Sequence, residues 1–313
     1  MAVRPQRLEE IYERPAPLTR LRNFIDRENV FAWIILAPAL LVLFLFIAYP
    51  FVLGIWLSLT DKKVSTPGNF VGISNFISDL GDTIFQKTVI NTFVYTIVAT
   101  IFKLALGMVL ALLMNQPFRG KNMVRAFVLL PWIVPTVLST VAWQWMFDPS
   151  YSILNWMLKN WFAWKGTFPS WLGDPFLALC CVIGVNIWRG VPFFAISLLA
   201  GLQTVSVELF EAAAIDGANA FQRFWHITVP TIRPVLLIVT LFSVVWTFAD
   251  FQLVYVLTRG GPLNSTQLFA TYAYDTALRG GQLGVGASIA LFMFPILAIV
   301  VFIIQRYLNR KEA

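Results

Sequence analysis

Six stretches of mostly apolar residues, each about 20 residues or longer, restrict what this chain can fold into. They cover residues 31–59, 88–115, 124–147, 176–202, 232–257 and 283–307. A helix of that length crosses the hydrocarbon core of a bilayer, where each backbone N–H and C=O must be bonded within the protein. The expected fold class is an all-α membrane protein with six transmembrane helices. Pro38, Pro50, Pro131, Pro135, Pro192 and Pro295 lie in or near the spans, so bends are expected there. Composition agrees: 12% of residues are charged, about half the share usual in soluble domains.

The formal charge of +7 could point to nucleic acid or to an anionic membrane face. Its distribution decides. Arg4, Arg7, Arg14, Arg20, Arg22 and Arg27 all precede the first span, with no nucleic-acid-binding motif beside them. With both termini inside, segments 1–30, 116–125, 203–233 and 305–313 carry 14 Lys and Arg. The opposite segments, 60–87, 147–175 and 258–283, carry 7. That twofold bias places both termini in the cytoplasm.

The expected plan is a basic cytoplasmic segment (1–30), one six-helix transmembrane domain (31–308) with a cytoplasmic loop at 206–230, and a short tail (309–313). No cleavable signal peptide is expected, because the first apolar run is far longer than such a leader needs. Cys180 and Cys181 are helical neighbours pointing about 100° apart and read as small buried hydrophobes. His226 is the single histidine, so no metal site is expected. The 147–175 loop holds Trp156, Trp161, Trp164 and Trp171. It reads as a short helix in the outer interface or as a contact for an external partner.

The loop before the fifth span is the longest on the inner side. Val207–Ile215 consists largely of helix formers, with Glu208 and Glu211 near its start, where the helix dipole favours anions. Gly217 permits a left-handed turn. Residues 218–227 can form a second short helix with Phe221, Phe224, Trp225 and Ile227 on an apolar face. Pro230 and Pro234 then suit the entry into the fifth span.

This pattern, Glu211-Ala212-Ala213, Asp216-Gly217-Ala218, Phe224, Ile227 and Pro230, resembles the EAA loop of ABC importer permeases. The likeness extends over nearly all the transmembrane region, to the carbohydrate-uptake class. It includes Arg119-Gly120-Lys121, Trp188-Arg189-Gly190-Val191-Pro192 and Thr258-Arg259-Gly260-Gly261-Pro262. The resemblance implies a type I importer permease fold in the bacterial inner membrane. It implies that Glu211, Ala212, Ala213, Asp216, Gly217, Ala218, Phe224 and Pro230 couple the chain to a cytoplasmic ATPase. Implied partners are a second, non-identical permease, two ATPase subunits, a periplasmic or lipid-anchored solute-binding protein, a sugar and membrane lipid. The chain lacks a phosphate-binding loop, since Gly120-Lys121 runs into Asn122 without the glycine spacing. ATP and magnesium would therefore sit on the ATPase, with no cofactor on this chain and no catalysis by it.

Ionisable groups inside a membrane are costly and mark function by default. Arg189 either faces the solute or pairs with a carboxylate, and Gly190 and Pro192 beside it are expected to open the helix locally. Ser243, Trp246, Thr247 and Asp250 recur at helical spacing on one face. An aromatic surface with hydroxyl and carboxylate groups suits a sugar ring. The resembling permeases use the positions of Arg189, Gly190, Phe193, Ser243, Trp246, Thr247 and Asp250 for sugar. An Asp250–Arg189 ion pair is the competing structural reading. Lys103 snorkels or pairs, and Trp143, Gln144 and Trp145 read as belt residues.

Two other functions make demands that this sequence does not meet. An ion-coupled secondary transporter needs coupling carboxylates and usually inverted repeats, whereas Asp250 is the one clear in-span acid and no repeat is visible. A membrane-embedded enzyme needs a clustered catalytic constellation, which a single loop histidine does not supply.

Overall fold

One proline, Pro135, breaks an apolar stretch, whereas Pro38, Pro131, Pro192 and Pro234 lie inside helices. The computed structural model describes residues 28–309, so the basic segment lies outside the described residues up to residue 27, and the tail from residue 310. The chain divides into two units, Met1–Gly54 and Ile55–Ala313. In the first, helix α1 (Glu28–Leu43) passes through a π-helical turn at Phe44–Ala48 into α2 (Tyr49–Ser58), which ends in the second unit. Ala32–Ser58 is long and apolar enough to span a membrane, with no charged residue along it.

The second unit is helical throughout, with isolated bridges at Thr60 and Phe70 and at Lys63 and Thr66. A short helix, α3 (Ser74–Gly81), leads into α4 (Thr83–Asn115), which begins five residues before the expected second span. The Asp82 side chain caps α4 by accepting from Ile84 N at 2.9 Å, a contact that stabilises a helix start by about 1 kcal/mol.

The expected third helix, 124–147, is broken into α5 (Lys121–Ile133) and α6 (Thr136–Phe147), bent by 89°. The cause is local. Val134 precedes Pro135, whose ring disfavours the helical conformation in the residue before it, and Val134 sits at ψ 131°. An amphipathic helix, α7 (Ile153–Trp161), follows in the Trp-rich loop.

The fourth span is α8 (Pro175–Leu202). Asp174 accepts from the Phe176 and Leu177 amides at 3.0 and 2.8 Å, and Pro175 needs no partner at the first helical position. α8 runs unbroken through Arg189, Gly190 and Pro192, so the local opening expected there does not occur. It packs along α4, where a Cβ on Gly107 would lie 2.4 Å from Phe194 Cβ. Such close backbone approach by small residues is how membrane helices gain packing.

The fifth span also departs from expectation. After α9 (Val207–Ile215), the helix α10 (Ala220–Arg223) passes through a π turn, Phe224–Thr228, into α11 (Val229–Phe248). Together they form one span, Ala220–Phe248, so the second short helix is the first part of the fifth span rather than separate from it. Pro234 lies inside α11 and Pro230 within its first turn. The span ends at Phe248 instead of 257, and residues 252–257 form a separate helix, α12 (Gln252–Leu257). Then come α13 (Phe269–Tyr274), a π turn at Asp275–Arg279, α14 (Leu283–Leu291) and α15 (Met293–Asn309).

Two apolar clusters form along the paired helices. Toward the α7 end, Tyr95, Ala99, Val182, Val185, Leu253 and Leu257 pack together. Toward the α9 end, Ala111, Met114, Phe194, Leu198, Ile232 and Val239 do so. In sequence, Lys103, Asn186, Arg189, Ser243 and Thr247 fall between these sets on their helices, which makes a polar layer between two apolar ones.

A second polar contact closes the α7 end. Buried Asp79 accepts from Ser288 Oγ at 2.6 Å, and the same Oγ lies 2.7 Å from the Val285 carbonyl. The Ser288 hydroxyl thus sits between two acceptors. Burial raises the Asp79 pKa, the Ser288 hydrogen bond works against the rise, and the Asp82 charge adds to it.

Candidate solute cavity and coupling loop

The seven residues picked as a solute pathway, Arg189, Gly190, Phe193, Ser243, Trp246, Thr247 and Asp250, all line one cavity of about 100 Å³. Helices α8 and α11 supply six of them. Asp250 lies just beyond α11, where the chain has already left the helix. Lys103, Trp132, Asn186 and Phe194 complete the lining. Of these, Lys103 had been read as snorkelling or paired, and the other three had not been singled out. Asn186 lies three residues before Arg189 and so on its face of the helix, a signal that was available. Trp132 arrives only through the packing of α5 on α8.

Lys103 neither snorkels nor forms an ion pair. It is 3% exposed, and its Nζ donates to Asn186 Oδ1 at 2.9 Å and to Thr247 Oγ1 at 2.7 Å. Hydrogen bonds to a charged group contribute about 1.5–3 kcal/mol each. Gly190 makes room for this arrangement, since a Cβ there would lie 2.3 Å from Lys103 Cδ.

Asp250 accepts at Oδ2 from Tyr95 Oη at 2.7 Å and from Asn186 Nδ2 at 3.1 Å. One amide, Asn186, thus joins the buried cation to the carboxylate. The competing Asp250–Arg189 ion pair is not formed among the described residues, because neutral donors already hold Asp250. Arg189 Nε is buried without a partner. On the cavity's aromatic side the Phe193 ring sits between Trp246 and Trp132, at centroid distances of 5.2 and 6.1 Å. The cavity therefore offers an aromatic wall, hydroxyl groups, two basic side chains and one carboxylate.

The loop carries the other predicted residues, and none of the residues of α9 is buried. The helix ends in a Schellman motif. Ala218 N donates to Ala213 O at 2.9 Å and Gly217 N to Ala214 O at 3.1 Å. Gly217 has φ +78°, and nothing lies within 4 Å of a Cβ built on it. The demand for glycine there is conformational, not steric. Asn219 then opens the next helix through a reciprocal capping box with Gln222.

Glu211, Ala212, Asp216 and Pro230 are exposed, and Ala213, Ala218 and Phe224 are half-buried. Ala213, Asp216, Gly217 and Ala218 face a hollow of about 380 Å³ that Arg223, His226 and Ile227 close from the other side. Phe210 and Ile227 pack on the α9-end apolar cluster and tie the loop to the bundle. Ile215 is 88% exposed and Phe221 72% exposed. Apolar surface of that kind at a loop marks a contact with another protein or with lipid.

An all-helical unit with membrane-length spans, a polar cavity between them and a protruding helix–turn–helix loop defines a polytopic membrane transport protein. Comparison with known proteins gives the family. Residues 103–313 match the family described as binding-protein-dependent transport system inner membrane component, and the chain belongs to it. It is 34% identical over 270 residues to the trehalose/maltose transport system permease protein MalF of Thermococcus litoralis, covering 86% of this chain and 90% of that one. It is 32% identical over 301 residues to the sulfoquinovosyl glycerol transport system permease protein SmoG of Agrobacterium fabrum, covering 94% and 96%. Its fold is similar to a chain of the crystal structure of a bacterial ABC transporter involved in alginate import, with TM-score 0.79 and 22% identity. That likeness covers 93% of this chain and 99% of that one. The chain is thus a multi-pass inner-membrane permease with the fold of ABC importer permeases.

Proposed function

We propose that this permease imports a sugar, supplies half of the solute pathway, and is driven through the 206–230 loop by a partner ATPase. The observation that carries the reading is the convergence of all seven pathway residues on one cavity. An aromatic wall takes the C–H face of a sugar ring, while Asp250, Ser243, Thr247 and Arg189 meet its hydroxyls. The cavity, at about 100 Å³, is well below the roughly 300–1,000 Å³ of complete ligand sites. A second, non-identical permease supplies the facing wall.

Glu211, Ala212, Ala213, Asp216, Gly217 and Ala218 form the surface that enters an ATPase subunit, with Phe224 and Pro230 holding the following helix in place. Two such subunits carry ATP and magnesium, and a periplasmic or lipid-anchored binding protein delivers the sugar. The Lys/Arg bias supports a cytoplasmic position for both termini and the loop. This chain performs no covalent chemistry on the solute. Its spans alternate between inward- and outward-open states as the ATPase pair closes and opens.

Reconstitution of the full complex in proteoliposomes tests the reading. Uptake of labelled sugar should need both ATP and the loaded binding protein. Uptake driven by a proton gradient without ATP would sink it.

A further inference from the structure

We propose a second sugar-ring subsite toward the α7 end of the bundle, on a cluster of three aromatic rings beside the Asp250 cavity. It rests on the sugar reading above. Phe251 and Tyr255 stack at 4.9 Å between centroids and 17° between planes. Tyr274 closes the cluster at 5.0 Å from Phe251 and 5.1 Å from Tyr255. All three rings are half-exposed, whereas other clustered rings of this unit, Phe85, Phe248 and Phe269, are buried. The cluster is thus not part of an apolar core.

Tyr255 also faces a cavity of about 410 Å³ that Gln144 and Arg259 help to line. That volume lies within the usual range for a small-ligand site. A pyranose needs a flat apolar surface for one face and polar groups at its edge. The Tyr255 ring supplies the first, and the Gln144 amide and Arg259 guanidinium the second. Arg259 is held at φ +52°, a conformation rare outside glycine that clusters at functional positions.

The two cavities are neighbours along the chain. Asp250 lines one and Tyr255 the other, and five residues of chain reach at most about 17 Å. The ligand class is therefore a sugar of two or more rings, with one ring on Tyr255 while another approaches Asp250.

The test is the initial uptake rate of the reconstituted complex at saturating loaded binding protein. The probes are labelled glucose, trehalose, maltose, maltotriose and diacetylchitobiose. For probes of two or three rings, Tyr255→Leu should lower the rate up to about tenfold, the upper end for one lost aromatic contact. The loss should be smaller for glucose, and Tyr255→Phe should recover most of the rate. An unchanged rate in Tyr255→Leu for every transported probe overturns the subsite and leaves the sugar reading standing. Loss of the second permease from purified Tyr255→Leu complex also overturns it, by assigning the rings to a subunit contact. Uptake of none of the five by wild-type complex overturns both readings.

Discussion

The 206–230 loop and the Asp250 cavity are built on opposite principles. The loop spells its pattern in consecutive residues, buries none of α9, and holds its shape by backbone bonds and capping, with Phe210 and Ile227 packed on the bundle. The cavity draws on α4, α5, α8, α11 and the turn after it, and its polar groups are fixed by one another. A surface made for another protein can be local in sequence, because the partner completes it. A buried polar site has to complete itself, so it gathers residues from wherever the fold brings them.

The largest effect is expected where the loop has a single point of failure. Gly217→Asp should insert into the membrane normally yet reduce ATP-driven uptake to background, measured in vesicles beside the quantity of membrane-inserted chain. An L residue at φ +78° costs about 1–2 kcal/mol, and the new charge sits next to Asp216. Normal uptake would remove the loop from coupling.

The cavity should fail differently, through partners rather than at one residue. Gly190→Ala forces Lys103 away from Asn186 and Thr247, and should lower the thermal midpoint in detergent together with uptake. In a Lys103→Val background the same change should be close to neutral, because the clash at Cδ is gone. The difference between the two backgrounds should be about 1–3 kcal/mol, typical of residues in one network. Additive effects would show that Gly190 does not serve Lys103.

Trp246→Ala should lower the rate of sugar uptake, while the chain still co-purifies with the ATPase. An unaltered rate for every sugar tried removes Trp246 from the pathway.

The smallest effect belongs to neither region and serves as a control. Burial raises the folded-state pKa of Asp79 above 3.8, so folding favours its protonated form. Its contribution to stability is full below the unfolded value and is lost as pH rises through the folded one. The melting midpoint of wild type should fall over that window. Asp79→Asn, which cannot ionise, should flatten that part of the profile. An identical slope in both proteins would show that Asp79 does not titrate there.

The same contrast governs what could be read from the amino-acid sequence. Gly217 was legible because glycine between Asp216 and Ala218 has one main use, and the left-handed turn is there. Arg189, Ser243, Thr247 and Asp250 were legible because charges and hydroxyls inside apolar spans stand out, Trp246 because it shares their helical spacing, and Gly190 and Phe193 through the family resemblance alone. Trp132 was not, since one tryptophan among twelve carries no address until α5 packs on α8. Nor was the bond of Lys103 to Asn186 and Thr247, which depends on the register between three helices. Gly190 was misread as a weak point in α8, because a missing side chain looks the same whether it frees a backbone or admits a neighbour. The third-span break needed Val134's conformation, for Pro131 stays within the helix while Pro135 ends it.

The span Ala220–Phe248 has a mechanical meaning. Its first turns hold the capping box beside Gly217, and its last hold Trp246 and Thr247. At 1.5 Å per residue the two ends lie about 40 Å apart on one rod. A tilt of about 10° around its middle would carry each end by about 3–4 Å in opposite directions. Under the proposed function, pushing at the loop and reshaping the cavity wall are a single displacement of this helix, and the bound sugar touches its moving end.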